Sequence, residues 1–235
     1  MWRWLTIFIG CILILQGCVS DNDGDPNEQE KEIKGAIDVN EKLFQAVENT
    51  ETDTIRRLIE EGIDINSQDS QGRTATMIAT YNNDVEIAKI LIDAGADVNI
   101  KDNMENTPFL YAGAEGYIDI LKLTIEAGAD PSITNRFGGT ALIPASEHGY
   151  VDVIKELLTS TDIDINHVND LGWTALLEAI ILSNGDEKQQ QTVQLLIDHG
   201  ADVHNPDHNN VTPIQHAREK GFKEIEHILL KAGAN

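Results

Sequence analysis

Apolar residues fall in short stripes at helical spacing along most of the chain. Val85, Ile87, Ala88, Ile90, Leu91 and Ile92 make one stripe, closed by Gly95. The arrangement returns in Ile118, Ile120, Leu121 and Leu123, and in Val151, Val153, Ile154, Leu157 and Leu158. It returns again in Val193, Leu195, Leu196 and Ile197, and in Ile225, Ile228, Leu229 and Leu230. Apolar positions three and four apart share one face of an α-helix, so each stripe predicts a helix with one buried face. Glycine just beyond a stripe suits a helix end, where the backbone turns left-handed. A shorter apolar run precedes each stripe. Thr74-Ala-Thr-Met-Ile-Ala-Thr-Tyr81 opens on a threonine able to cap a first turn, and Asn83-Asp84 breaks the run. Small Ala79 lets a neighbouring helix approach.

The polar positions repeat as well. Asp69-Ser-Gln-Gly-Arg-Thr74 reappears 33 residues later as Asp102-Asn-Met-Glu-Asn-Thr107, and again ending at Thr140, Thr174 and Thr212. Gly95-Ala96-Asp97, Gly128-Ala129-Asp130, Gly200-Ala201-Asp202 and Gly233-Ala234-Asn235 close the copies. A fixed period of this length predicts stacked units of turn, helix and helix, none able to bury its apolar face alone. Stacked units offer an extended surface for a partner rather than a pocket for chemistry.

Thr107-Pro-Phe-Leu-Tyr-Ala112, Thr212-Pro-Ile-Gln-His-Ala217 and Gly95-Ala-Asp-Val-Asn99 resemble the opening and closing signatures of ankyrin repeats, over residues 40–235. The resemblance implies an all-α solenoid of about six helix-turn-helix units with β-turn or hairpin loops. The units are an N-terminal capping repeat at 40–68, repeats at 69–101, 102–134 and 135–168, a repeat with an insertion at 169–205, and a C-terminal capping repeat at 206–235. The motif histidine is replaced by Met77, Leu110, Ile143, Leu177 and Gln215, so the turns must be held by other groups. One residue is added near Ser160-Thr161 and about five within Ser183–Gln191, either as a binding edge or as a tolerated loop.

Partners of ankyrin proteins contact the turn tips and the inner face of the first helices. Carried over by repeat position, this implies binding residues Arg73, Asn106, Arg136, Phe137 and Trp173 at the turns. Tyr81, Tyr111, Glu115, Glu147, His148 and Glu178 are the corresponding choices on the inner helices. Exposed aromatics and arginines are the usual anchors of interfaces, although Phe137 and Trp173 would equally serve stability by packing between adjacent turns.

Charge narrows the partner. The net charge is −23, with a pI near 4.4, which excludes nucleic acid as an expected partner because phosphate binding relies on lysine and arginine. The charge either steers a basic protein or simply keeps the chain soluble. A monomer is expected.

The first residues read as an address. Met1-Trp-Arg-Trp4, an apolar run from Leu5 to Leu15, and Leu15-Gln-Gly-Cys18 make a secretory signal at 1–17. Its end resembles the lipobox of bacterial lipoproteins, which implies cleavage before Cys18 and a lipid on its thiol. Cys11, the other cysteine of two, would leave with the signal. The alternative is an uncleaved anchor, but the run is short of the ~20 residues a span needs. Residues 18–39 then form an acidic flexible spacer. The expected place is the extracytoplasmic face of a bacterial membrane, periplasmic or at the cell surface.

No catalytic constellation emerges. Asp21, Asp23, Asp25 and Glu32 occupy positions of a calcium loop, but Pro26 stands where glycine is needed. His204 and His208 have zinc spacing but fall on a turn without a third ligand. We therefore expect no enzyme, no metal and no cofactor, and a module that binds another protein. An inhibitor or immunity protein that blocks a secreted toxic enzyme, such as a lipase, is the alternative.

Overall fold

The computed structural model describes residues 39–235. Cys18, the acidic stretch after it and the candidate calcium loop lie outside them. Twelve helices and no strand occur among the described residues. They are α1 (residues 39–48), α2 (Thr52–Glu60), α3 (Ala75–Tyr81), α4 (Val85–Asp93), α5 (Pro108–Glu115) and α6 (Ile118–Glu126). The second half adds α7 (Leu142–His148), α8 (Val151–Ser160), α9 (Ala175–Ile181), α10 (Glu187–Asp198), α11 (Pro213–Lys220) and α12 (Lys223–Lys231). No helix of the described residues is long and apolar enough to cross a membrane.

The helices pair in chain order into six units. From α3 onward, the first helix of each unit packs on the first helix of the next, through α5, α7, α9 and α11. The second helices, α4, α6, α8, α10 and α12, stack likewise. The two rows of helices share one core. Ile87, Ile120, Val153 and Ile225 occupy equivalent points of the second row and are buried, as are Ala79, Ala112, Ala145, Ala179 and Ala217 in the first. Alanine at the latter points lets the short helices approach closely, and the apolar stripes meet face to face.

Local chemistry sets the helix starts. Thr74, Thr107 and Thr174 accept the backbone N–H of Met77, Leu110 and Leu177 at 3.2, 3.2 and 3.3 Å. Thr140 makes no such bond, and its buried hydroxyl has no partner among the described residues. The cause is Pro144. In the other units the residue four after the threonine donates to the threonine carbonyl, as Ile78 does to Thr74 and Tyr111 to Thr107, both at 3.0 Å. Proline has no N–H to give. Ile143 N takes over that carbonyl at 3.2 Å, and α7 starts one residue late.

Both insertions are ordered. The extra residue lengthens α8 to ten residues, and the Thr161 hydroxyl closes it by donating to Leu157 O at 2.6 Å. The five residues in the fifth unit add a turn to α10, which has twelve residues where α4 and α6 have nine. Asp186 caps this helix at Gln189 N, 3.1 Å away. Gln189 Nε2 reaches back to Glu147 O of the fourth unit at 2.7 Å.

Polar links between units are uneven. Asn66, Asn99 and Asn166 each accept, at 2.8 Å, the backbone N–H of an aspartate in the next unit: Asp97, Asp130 and Asp202. At the turn tips, Asn103 N donates to Gln71 O and Asp170 N to Phe137 O, both at 3.0 Å. Second and third units, and fourth and fifth, thus carry both kinds of link. Between third and fourth neither is present among the described residues. Ser132 stands where asparagine would reach across, and it bonds Asp130 of its own loop.

Candidate functional site

Each turn is organised by its first residue. One side-chain oxygen of Asp69, Asp102, Asn135, Asn169 or Asp207 accepts two backbone N–H bonds, from the residues two and four further on. The pairs are Gln71 and Arg73, Met104 and Asn106, Phe137 and Gly139, Leu171 and Trp173, and Asn209 and Val211, at 2.8–3.1 Å. Asparagine and aspartate serve alike, because only an acceptor oxygen is required. These side chains hold the turns in place of the missing histidine. The residue three after each is left-handed, and Glu105 takes that place at φ 61° where Gly72, Gly138 and Gly172 do so without a side chain.

The other atom of the same side chain faces the inner helices. Asp69 receives Arg73 Nε at 2.7 Å, Asp102 receives the Tyr81 hydroxyl, and Asp207 meets His216 Nε2 at 3.0 Å. Asn169 Nδ2 donates to Glu178 Oε1 at 2.8 Å. Turn and inner helix are therefore one polar framework, which sets where exposed groups point. Burial, then its bond to Asp102, pushes the Tyr81 phenol up to about 12.

The sequence-predicted binding residues separate within this frame. Arg136 and Phe137 are exposed, with the guanidinium 4.8 Å above the Phe137 ring. Glu115 and His148 are exposed, and Glu147 and Tyr111 are half-buried on the inner helices. Arg73 is half-buried, also paired with Glu48 at 3.3 Å. Asn106 donates to the Tyr81 hydroxyl at 3.1 Å, and Trp173 is half-buried. Glu178 departs from the expectation: it points inward, 5 % exposed, and offers a partner no surface. The position four after the threonine faces back over the turn, where both Glu178 and His216 bond the turn-forming side chain.

The row that sequence reasoning missed lies at the turn tips. Met104, Phe137 and Leu171 are 49, 55 and 54 % exposed. Each is the second residue after the turn-forming aspartate or asparagine, in three consecutive units. Phe137 and Trp173 lie in neighbouring turns but at different positions of them, since Trp173 is equivalent to Gly139. Counting from Asn135 and Asn169 would have found Leu171. Arg136 Nη1 also lies 3.6 Å from Met104 Sδ. Beside the row, an open hollow of about 440 Å³ is lined by Arg73, Tyr81, Asp102, Asn103 and Met104, among others.

His208 packs against Gly172. A Cβ on Gly172 would lie 2.4 Å from its ring. No group of three or more metal-ligating side chains occurs among the described residues.

Comparison with known proteins agrees with this architecture. The sequence profile of the family described as ankyrin repeats (3 copies) matches residues 14–102, 43–135 and 109–207. The ankyrin repeat protein YahD of Escherichia coli (strain K12) is 54 % identical over 80 residues. That alignment spans 34 % of this chain and 40 % of YahD, under half the length of that relative. The crystal structure of an ankyrin repeat domain from Acinetobacter baumannii AYE is similar at a TM-score of 0.80 and 49 % identity, covering 82 % of this chain and 98 % of that one. The crystallised ankyrin repeat protein EF0377 gives 0.79 and 39 %, covering 83 % and 98 %. Proteins of this kind are in general non-catalytic interaction modules, and nothing in the geometry above assembles a reactive centre. With the repeat turns, the paired helices and these likenesses together, the chain belongs to the ankyrin repeat family.

Proposed function

We propose that the chain is a non-catalytic protein-binding module, held by a lipid on Cys18 at the extracytoplasmic face of a bacterial membrane. The row of Met104, Phe137 and Leu171 carries the binding reading. Single exposed apolar residues are ordinary, whereas three large ones at one position of successive units make a continuous edge that a partner can cover. The inner face beside it bears Glu115, Glu147 and His148. A basic partner suits the net charge of −23. The tether rests on Leu15-Gln-Gly-Cys18.

Capture by the full chain from its own envelope tests the binding. Because both side chains are exposed, the Phe137→Ala/Leu171→Ala variant is expected to keep its helicity and to bind at least about tenfold more weakly. Undiminished capture would move the interface off this edge. A partner absent from the envelope but found in a secreted toxic enzyme would favour the inhibitor role. The tether is tested separately: Cys18→Ser should shift the chain from the membrane fraction to the soluble one and abolish palmitate labelling. Retention with full labelling would sink the lipid assignment.

A further inference from the structure

All four tyrosines of the chain gather in three neighbouring units. Tyr81 ends α3, Tyr111 lies in α5, and Tyr117 and Tyr150 immediately precede α6 and α8. The Tyr81 and Tyr111 rings meet edge-on with centroids 4.4 Å apart, and Tyr111 meets Tyr117 edge-on at 6.2 Å. Tyr150 lies flush against Gly116, where a Cβ would stand 3.1 Å from three of its ring atoms. The His148 ring is 5.4 Å from that of Tyr150. Gly116 directly follows Glu115, the exposed last residue of α5. Rings from two adjacent units therefore lie around the end of α5 that carries Glu115. Burial first, and the Glu115 charge second, raise the phenols of both Tyr111 and Tyr150, so the charge is felt on both sides.

The carboxylate is unmatched. Among the described residues Glu115 forms no ion pair and no hydrogen bond, and the hydroxyls of Tyr111, Tyr117 and Tyr150 have no hydrogen-bond partner. The faces of aromatic rings are electron-rich, so a carboxylate beside them gains nothing from the rings themselves. A cation reconciles the two, drawn to the rings and to the carboxylate at once. Guanidinium fits better than ammonium, because its plane stacks on a ring while its N–H fork engages a carboxylate.

We propose that Glu115, with Tyr111, Tyr117 and Tyr150, receives an arginine side chain of the partner protein. The assignment rests on the protein-binding reading above and names the chemistry of one contact within it. Tyr111 and Tyr117 come from the third unit and Tyr150 from the fourth, so the arginine would sit across their joint.

The test needs no identified partner. The full chain is titrated with N-acetyl-arginine amide, and with the uncharged isostere N-acetyl-citrulline amide, while backbone amide resonances are followed. Saturable shifts centred on residues 111–118 and 148–151 are expected for arginine. Binding at least about tenfold weaker is expected for citrulline, and for arginine with Glu115→Gln. Glu115 is exposed, so that variant should fold normally. Tyr150→Leu, whose fold is verified by its amide spectrum, should weaken arginine while Tyr150→Phe should retain it. Equal binding of arginine and citrulline, unchanged binding by Glu115→Gln, or no saturable shift would each overturn the proposal. If a partner is captured through the Met104–Leu171 edge yet no arginine binds, this contact is wrong and the module stands. If arginine binds and no protein does, the contact stands as a cation site and the module reading fails.

Discussion

Asp102→Ala is expected to lower the stability of the chain by about 3 kcal/mol, the larger part of it from two orphaned backbone donors. Asp102 is 6 % exposed and does three things at once. Its Oδ1 accepts Met104 N and Asn106 N, both at 2.9 Å, and its Oδ2 accepts the Tyr81 hydroxyl from the preceding unit. Alanine strips all three bonds from a half-buried turn and leaves the phenol of Tyr81 to find water. Asp102→Asn should cost only about 1 kcal/mol, since an amide oxygen still accepts both N–H groups and only the hydroxyl of Tyr81 loses its acceptor. Asn135 and Asn169 already hold the same turn with an amide. Urea denaturation of the two variants measures the contrast. Equal loss in both would mean that charge, not acceptor geometry, holds the turn. Units in a solenoid couple only to their neighbours, so the alanine variant should also unfold in two steps, with its N-terminal units leaving first.

Glu178→Gln is expected to remove a pH dependence that the wild-type chain carries between about pH 4.5 and pH 7. Burial, and then the charge on Glu147 of the neighbouring unit, raise the Glu178 carboxyl to about 7 from 4.5. The bond from Asn169 Nδ2 pulls the other way without prevailing. The folded state thus holds this proton more tightly than the unfolded chain does. Its stabilising contribution is complete below pH 4.5 and is lost as the pH rises through about 7. A shift of this size corresponds to at most about 3 kcal/mol, and water reaching the inner face brings it nearer ~2 kcal/mol. Glutamine keeps the acceptor for Asn169 and carries no charge. The variant should match the wild type at pH 4 and exceed it by about 2 kcal/mol at pH 8. Urea midpoints across that range decide it, taken as variant minus wild type so that other carboxylates cancel. A difference that does not change with pH would show Glu178 to be solvated.

Most of the architecture could be read from the chain because helical repeats are written locally. The stripes at Val85–Ile92 and Ile118–Leu123 became α4 and α6, since a helical face is set by spacing alone. The capping threonines were equally legible at Thr74, Thr107 and Thr174. Thr140 departs from the others through Pro144, whose effect depends on which N–H the threonine carbonyl needs. Side-chain direction was less accessible. Glu178 looks like a surface charge in one dimension, and only the fold of the turn beneath it shows that Asn169 draws it inward. An aromatic such as Phe137 stands out in a chain with few, whereas nothing in the composition marks Met104 or Leu171. Their significance lies in a shared register, which is visible only when each turn is counted from its aspartate or asparagine.

The missing links between the third and fourth units have a mechanical meaning. Each flanking pair is clamped at both margins, by Asn99–Asp130 and Asn103–Gln71 on one side and by Asn166–Asp202 and Asp170–Phe137 on the other. The middle joint relies mainly on packing, such as that of α5 against α7 and of Tyr150 against Gly116, beside the Lys122–Glu156 ion pair at 3.9 Å and the Arg136–Met104 contact. Under load the array behaves as two stiff plates on a softer gasket. The joint between the fifth and sixth units lacks both links as well among the described residues, so bending and any change of curvature favour these two seams. The exposed apolar edge from Met104 to Phe137 crosses the first of these seams, so a change in the curvature of that edge costs the array little elastic work.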